Sequence, residues 1–202
     1  MDKIILIGAG GHARACIDVI EQEGRYEIAG LIDKENSIAE TILGYHVLGL
    51  DSDLETIHLK YKHALVTVGQ IKTPDIRIDL YNRLKSIGYF LPVIISPMAY
   101  MSKHSRCGDG TVVMHGAIVN AGARIGHNCI INNRALVDHD VTVGPHCHIA
   151  TGAVLNGGVN IGEGTFIGSG AVIKQGVAIG RHGVIGAGCV IKKDVPDQMK
   201  IK

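Results

Sequence analysis

The sequence predicts a small α/β domain joined to a parallel β-solenoid of triangular section. Three observations predict it. From Val113 to Ile191, every sixth residue is Ile, Leu or Val. The position two before each is also restricted, mostly to small or β-branched residues such as Thr111, Ala117, Cys129, Val141 and Cys189. Composition changes abruptly near Leu91-Pro92: alternating strand and helix patterns precede it, and the six-residue rhythm follows. A strict short period over so long a run is the signature of a solenoid.

A period of six excludes an α-helix, whose apolar stripe recurs at 3.6. Side chains alternate along a strand, so within each six the aliphatic residue and the one two before it share the inward face. The remaining residues form a corner. Gly or Asn often follows the aliphatic residue, as at Gly126, Asn132, Gly144, Asn156, Gly162, Gly168, Gly180 and Gly186, and is expected to supply positive φ there. Three such sides close a coil of 18 residues, and stacked coils pair as parallel strands about 4.8 Å apart. So narrow a shaft has no room for bulk, and the chain has no Trp and two Phe. The lattice extends back more weakly through Ile95, Met101 and Cys107. The prism therefore runs from about residue 93 to 195, between five and six coils.

The first part, residues 1–91, reads as strands and helices in alternation. Lys3 to Ile7 is a short apolar strand. Gly8-Ala9-Gly10-Gly11-His12 follows, and a helix runs from about Ala13 to Glu23. Glu27 to Ile32 is a second strand ending at Asp33, and Ala64 to Val68 is another, closed by Gly69. Asp75 to Ser86 has helical spacing through Ile76, Leu80 and Leu84. Phe90 to Ile94 leads into the second domain, residues 92–202, which contains the prism. This order argues for a small parallel sheet with a ligand site at the strand C-termini.

Composition removes several function classes. The net charge is +1, the pI is about 7.7 and no basic stripe appears, so nucleic acid is not an expected partner. No apolar run approaches membrane-spanning length, and the N-terminus carries no signal-peptide pattern. A cytoplasmic protein is expected. The five cysteines agree: Cys129, Cys147 and Cys189 fall on inward positions, Cys107 falls on the aliphatic lattice, Cys16 lies in the first helix, and no Cys-x-x-Cys occurs. They read as small reduced core residues.

Three motifs bear on chemistry. Gly8-Ala9-Gly10-Gly11-His12-Ala13 follows a strand and opens a helix, the context of a loop that cradles phosphate. Asp33 lies 20 residues after Ala13, where a ribose-binding carboxylate falls. Ninety residues provide half of a dinucleotide (Rossmann-like) fold, which suits a nucleoside diphosphate better than NAD. The alternative is a tight turn with no ligand. Second, Asp138-His139-Asp140 places His139 at a corner, flanked by carboxylates that fix its tautomer and raise its basicity. It is either a general base or a solvated corner histidine, since His115 and His127 share that corner position, though neither has a carboxylate next to it in sequence. Third, His148 follows His139 by nine residues, half a coil. The two lie on opposite sides of one prism, so a site using both is shared between subunits around a three-fold axis. A histidine zinc site of the γ-carbonic-anhydrase kind needs two histidines five apart, and the prism has none, so no metal is expected.

Together these motifs resemble the hexapeptide-repeat bacterial sugar acetyltransferases of the sialic-acid and bacillosamine-type pathways. The likeness is carried by the glycine loop, by Ile131-Asn132-Asn133 through Val137-Asp138-His139-Asp140, and by His148-Ile149-Ala150-Thr151-Gly152-Ala153, Asn156-Gly157-Gly158 and Ile167-Gly168-Ser169-Gly170. It covers nearly the whole chain. The resemblance implies a left-handed parallel β-helix behind a nucleotide-sugar domain, and a homotrimer with acetyl-CoA as co-substrate. It implies His139 as general base tuned by Asp140, where the family commonly has Glu. It implies the Gly157 amide facing the thioester oxygen, and His148, Ser169 and Ala187 contacting acetyl-CoA. It implies Gly10, Gly11, His12, Ala13, Asp33, Lys34 and Gly69 lining the nucleotide-sugar site. It also implies a Gly-x-Pro-Ala segment after Val195-Pro196, which these 202 residues do not include.

The expected reaction is direct attack of a sugar 4-amine on acetyl-CoA, the amine being carried by a UDP- or GDP-linked sugar. UDP is the nucleotide the resemblance favours. The runner-up is O-acetylation of a sialic acid or related sugar. More distant readings are a trimeric nucleotide-binding scaffold without catalysis and a metal hydratase.

Overall fold

The computed structural model describes residues 1–34 and 41–202. The first domain is a parallel sheet. Its elements are β1 (Asp2–Ile7), α1 (Gly11–Glu23), β2 (Tyr26–Asp33), β3 (Thr41–Ile42), β4 (Tyr45–Leu50), α2 (Leu54–His58), β5 (His63–Val66) and α3 (Asp75–Ile87). The strand order is β3-β4-β2-β1-β5, parallel except for the β3–β4 hairpin. Helices cover both faces of β1, so Ile4, Ile5, Leu6 and Ile7 are all buried and the strand reads as a continuous apolar run.

The β3–β4 hairpin, α2 and β4 itself went unassigned from sequence. The helix expected from the spacing of Ile76, Leu80 and Leu84 is α3. Its buried residues are Arg77, Tyr81 and Leu84, whereas Ile76 is half-exposed. Arg77 takes the inner face because carbonyls await it there. Its guanidinium donates to Val66 O at 3.0 Å, to Val68 O, and to Asn128 O and Oδ1 at 3.1 and 2.8 Å. These bonds tie the end of β5 to a corner of the prism.

From Ile94 onward the chain winds into coils whose strands pair with a shift of 18 residues, as at Ile118↔Leu136, Arg124↔Thr142 and Ile130↔His148. Three sheets form the three faces. A covered face begins at Ile94–Ile95, an apolar face at Tyr100–Met101 and a polar face at Arg106–Cys107. Every lattice residue from Val113 to Ile191 is buried and joins one core column. On the covered face the inward Thr111, Cys129, Cys147 and Thr165 direct a hydroxyl or thiol at the carbonyls of Gly126, Gly144, Gly162 and Gly180. These inward polar groups satisfy carbonyls that the ladder leaves over.

Two expectations about the prism are corrected. Positive φ falls three residues after the aliphatic position, as at Asn128, Arg134, Asp140 and His146, not one residue after it. The glycines directly after the aliphatic residue answer to a different constraint. A β carbon on Gly126, Gly144 or Gly162 would stand 2.6–2.7 Å from a backbone nitrogen of the next coil. The prism also continues past residue 195. Val195 bridges Ile179, and Lys200–Ile201 pairs with Val184–Ile185, so the last coil is 16 residues instead of 18.

The first domain sits on the covered face. Ile94, Val112, Met114 and Ile130 join the core of β1, β2 and α1. The outward positions of the apolar face (Tyr100, Ile118, Leu136, Val154, Val172 and Val190) are half-buried or exposed, with Tyr100 and Val190 each 58% accessible. Those of the polar face, from Arg106 and Arg124 to Ala178, are exposed. Among the described residues no helix is long and apolar enough to cross a membrane.

Candidate active site

The turn after Val137 builds the first half of the site. Asp138 Oδ1 accepts the His139 backbone N–H at 2.7 Å and Asn120 Nδ2 at 2.8 Å, so Asp138 shapes the turn without touching the ring. Asp140 adopts φ 59°, and its Oδ2 lies 3.0 Å from His139 Nδ1. The shorter carboxylate therefore reaches the imidazole from the adjacent residue. With Nδ1–H donating to Asp140, the lone pair is left on Nε2. The Asp140 bond, then the nearby Asp138 charge, raise the pKa of His139 above its ordinary value. The ring is 55% exposed, so it is a corner side chain open to a reactant.

Gly157 occupies the same corner one coil on. A β carbon there would overlap the His139 imidazole, so glycine is required for the ring to lie where it does. The Gly157 N–H is also unused. At the preceding turns, Asn132 Oδ1 accepts the N–H of Asn133 and Asp138 Oδ1 that of His139. Asn156 instead turns its amide away, donating to Ile173 O at 2.7 Å. Among the described residues nothing accepts the Gly157 N–H. A donor without a partner, beside a base, is the arrangement that stabilises an oxyanion.

The second constellation is a pocket of about 480 Å³ across the C-terminal ends of β1, β2, β4 and β5. Gly10, Gly11, His12, Asp33, Lys34 and Gly69 line it; Ala13 is buried within α1 and does not. Gly8, at φ 106°, must be glycine, since a β carbon would meet Val68 Cγ2 at 2.6 Å. Gly10 and Gly11 differ: a β carbon on either would meet no protein atom within 4 Å. A bare turn accounts for Gly8 alone. The other two leave open the space in front of the α1 N-terminus, where unpaired N–H groups favour an anion. His12 is neutral, with burial first, then Arg77 and His148, pushing its pKa down to about 3.

Among the pocket residues that sequence reasoning did not assign are Asp51, Ile76 and Leu80. Ile76 and Leu80 carried a partial signal, since their spacing marked the helix but not that they face the pocket. Asp51 carried none, because the strand before it was not recognised.

The third group divides. His148 is nearly buried beneath the loop after β5. Its Nδ1 donates to Gln70 O at 2.6 Å, and its Nε2 accepts from Asn132 Nδ2 at 3.1 Å. Burial is the main cause of its pKa falling to about 4. Ser169 and Ala187 are exposed, one coil apart, on the corner between the covered and apolar faces. His139 occupies the vertex opposite the covered face, so one chain does not bring His139 and His148 together. Among the described residues no three His, Cys, Asp or Glu side chains are grouped as metal ligands would be.

Comparison with known proteins agrees with both halves. The PglD N-terminal domain family matches residues 3–84, and the bacterial transferase hexapeptide (six repeats) family matches residues 158–193. Perosamine N-acetyltransferase (PerB) from Caulobacter crescentus, solved with CoA and GDP-perosamine, is 34% identical; the match covers 99% of this chain and 93% of that one, with a TM-score of 0.92. The acetyltransferase domain of PglB from Neisseria gonorrhoeae FA1090, solved with acetyl coenzyme A, is 34% identical over 98% of this chain and 94% of that one, with a TM-score of 0.91. WeeI from Acinetobacter baumannii AYE is 25% identical over 99% and 96%, with a TM-score of 0.86. No curated protein sequence gives a significant match. The chain belongs to the bacterial sugar acetyltransferases that join a PglD-type N-terminal domain to a left-handed β-helix of hexapeptide repeats.

Proposed function

We propose that the protein transfers acetyl from acetyl-CoA to the 4-amino group of a nucleotide-linked amino-deoxy sugar. One observation carries the reading: His139, held by Asp140, lies over a glycine whose N–H has no acceptor among the described residues. The relatives add the substrate class, since one was solved with CoA and GDP-perosamine and another with acetyl-CoA.

In the reaction the neutral amine attacks the thioester carbonyl and a C–N bond forms. His139 Nε2 takes the proton from nitrogen, with the Asp140 carboxylate stabilising the imidazolium. The Gly157 N–H donates to the carbonyl oxygen as it gains charge. Collapse breaks the C–S bond, and the CoA thiolate recovers a proton from His139. No acyl-enzyme is required. Residues 1–91 hold the nucleotide sugar and residues 92–202 the acetyl donor, with His148, Ser169 and Ala187 as its contacts.

The working unit in this reading is a homotrimer. The nucleotide pocket rests on the covered face and His139 lies at the vertex opposite, so the two are joined across subunits. The outward apolar ladder from Tyr100 to Val190 supplies the surface that association would bury. Five free cysteines fit a reducing cytoplasm, where we place the protein.

The test is release of free CoA thiol with a panel of nucleotide amino sugars and free sialic acids. N-acetylation of a nucleotide amino sugar is expected. Faster transfer to free sialic acid, which has no diphosphate for the glycine loop, would overturn the reading. Full activity in a monomer would overturn the shared site.

A further inference from the structure

The pocket's order along the sheet allows the nucleotide base to be read. Strands β5, β1, β2 and β4 lie side by side, and the pocket takes residues from the C-terminal end of each. Gly10 and Gly11 follow β1, Asp33 ends β2, and Asp51 follows β4. Asp33 pairs with Leu50, so Asp51 stands at the level of Lys34, one strand farther from the glycine loop. Two strand spacings, roughly 10 Å, separate the β1 end from the β4 end. That is about one ribose plus the near edge of a base. A diphosphate at the α1 N-terminus and a ribose at Asp33 therefore bring the base to Asp51. The sugar leaves on the other side, past His12 and Gly69.

Resting on the nucleotide-sugar reading, we propose that Asp51 selects guanine, so that the donor of the acceptor amine is a GDP-linked sugar. An ionised carboxylate only accepts hydrogen bonds. Guanine offers it two parallel donors, N1–H and the 2-amino group, in a fork that matches both oxygens. Uracil offers a single N–H between two carbonyl oxygens, each of which would face the carboxylate. Adenine offers one donor beside an acceptor. Among the described residues no hydrogen bond or ion pair engages the Asp51 carboxylate, so it is free to bind a base. Lys34, at the same end of the pocket, supplies the donor that guanine O6 needs. The expectation of UDP came from resemblance; the lining points the other way.

The experiment is calorimetric binding of GDP, IDP and UDP to the full chain and to Asp51→Asn. IDP keeps N1–H and lacks the 2-amino group. GDP is expected to bind about ten-fold or more tightly than UDP, with IDP between them. In Asp51→Asn, GDP should weaken by about ten-fold while UDP changes little, which also reports that the variant is folded. UDP binding as tightly as GDP, or an equal loss of all three in the variant, would overturn the base assignment and leave the nucleotide-sugar reading intact. If none of the three binds, that reading fails, and this one with it.

Discussion

His115, His127 and His139 occupy the same position in the six-residue repeat, twelve residues apart, one on each corner of the prism. Two of these corners border the covered face and the third is opposite it. At His115, Nδ1 meets Ser96 Oγ at 2.7 Å and Nε2 meets Asp18 Oδ2 at 2.8 Å. The carboxylate that sequence did not place beside His115 arrives from α1, and both ring nitrogens are occupied. His127 stacks on Tyr81 with ring centroids 4.9 Å apart and meets His146 edge-on. His139 has one nitrogen on Asp140 and the other facing solvent above Gly157. Equivalent places in the repeat thus give two docking residues and one base. What lies against the corner makes the difference: His115 has both ring nitrogens engaged, His127 is packed against the Tyr81 and His146 rings, and His139 alone of the three faces solvent with Nε2 toward Gly157.

The comparison breaks first at His139. His139→Ala should lower kcat/KM by roughly 10²–10⁴-fold with the melting temperature unchanged, as loss of a general base does. Turnover within a few-fold of the parent would reduce His139 to a solvated corner residue. Next is Asp140→Asn, for which about a ten-fold loss of kcat/KM is expected at neutral pH. The proton-accepting form of His139 is the neutral one, and Asp140 is the chief cause of its raised pKa. In the parent, activity should therefore rise with pH through a value above the ordinary histidine pKa of about 6.5. In the variant that limb should move to lower pH; a limb that stays in place would show that Asp140 does not tune the base. The smallest effect is expected at His115→Ala. It should leave kcat within about two-fold and cost about 0.5–1.5 kcal/mol of stability through the lost Asp18 and Ser96 bonds, read by thermal melting. A loss of turnover as large as that of His139→Ala would erase the distinction between the corners.

The ladder was legible because a shaft one residue wide permits so few side chains, and Val113 through Ile191 announce it without any tertiary information. The pairing of His139 with Asp140 was legible for a related reason: adjacent residues at a tight corner have little freedom to separate. Longer-range features were not legible. The spacing of Ile76 and Leu80 marked a helix but not that these residues line the pocket, which follows from Arg77 taking the inner face with four acceptor contacts. The glycines after each aliphatic residue looked like turn residues. Their reason is the backbone of a coil 18 residues on, a distance at which local turn rules say nothing. The shortened last coil escaped the lattice because Val195 and Ile201 fall two residues early.

By itself the sequence determined the period, the face each residue would show, the strand–glycine–helix context of the loop, and the local Asp138-His139-Asp140 cluster. All of these depend on neighbours within a few residues or on strict repetition. Only the tertiary structure decided which face the first domain covers, and therefore which corner histidine is left open to solvent. It also brought Asp51 level with Lys34 on adjacent strands and left the Gly157 N–H without an acceptor among the described residues. Those outcomes depend on surfaces that meet across long stretches of chain, where packing and hydrogen-bond satisfaction, not local spacing, select the partner.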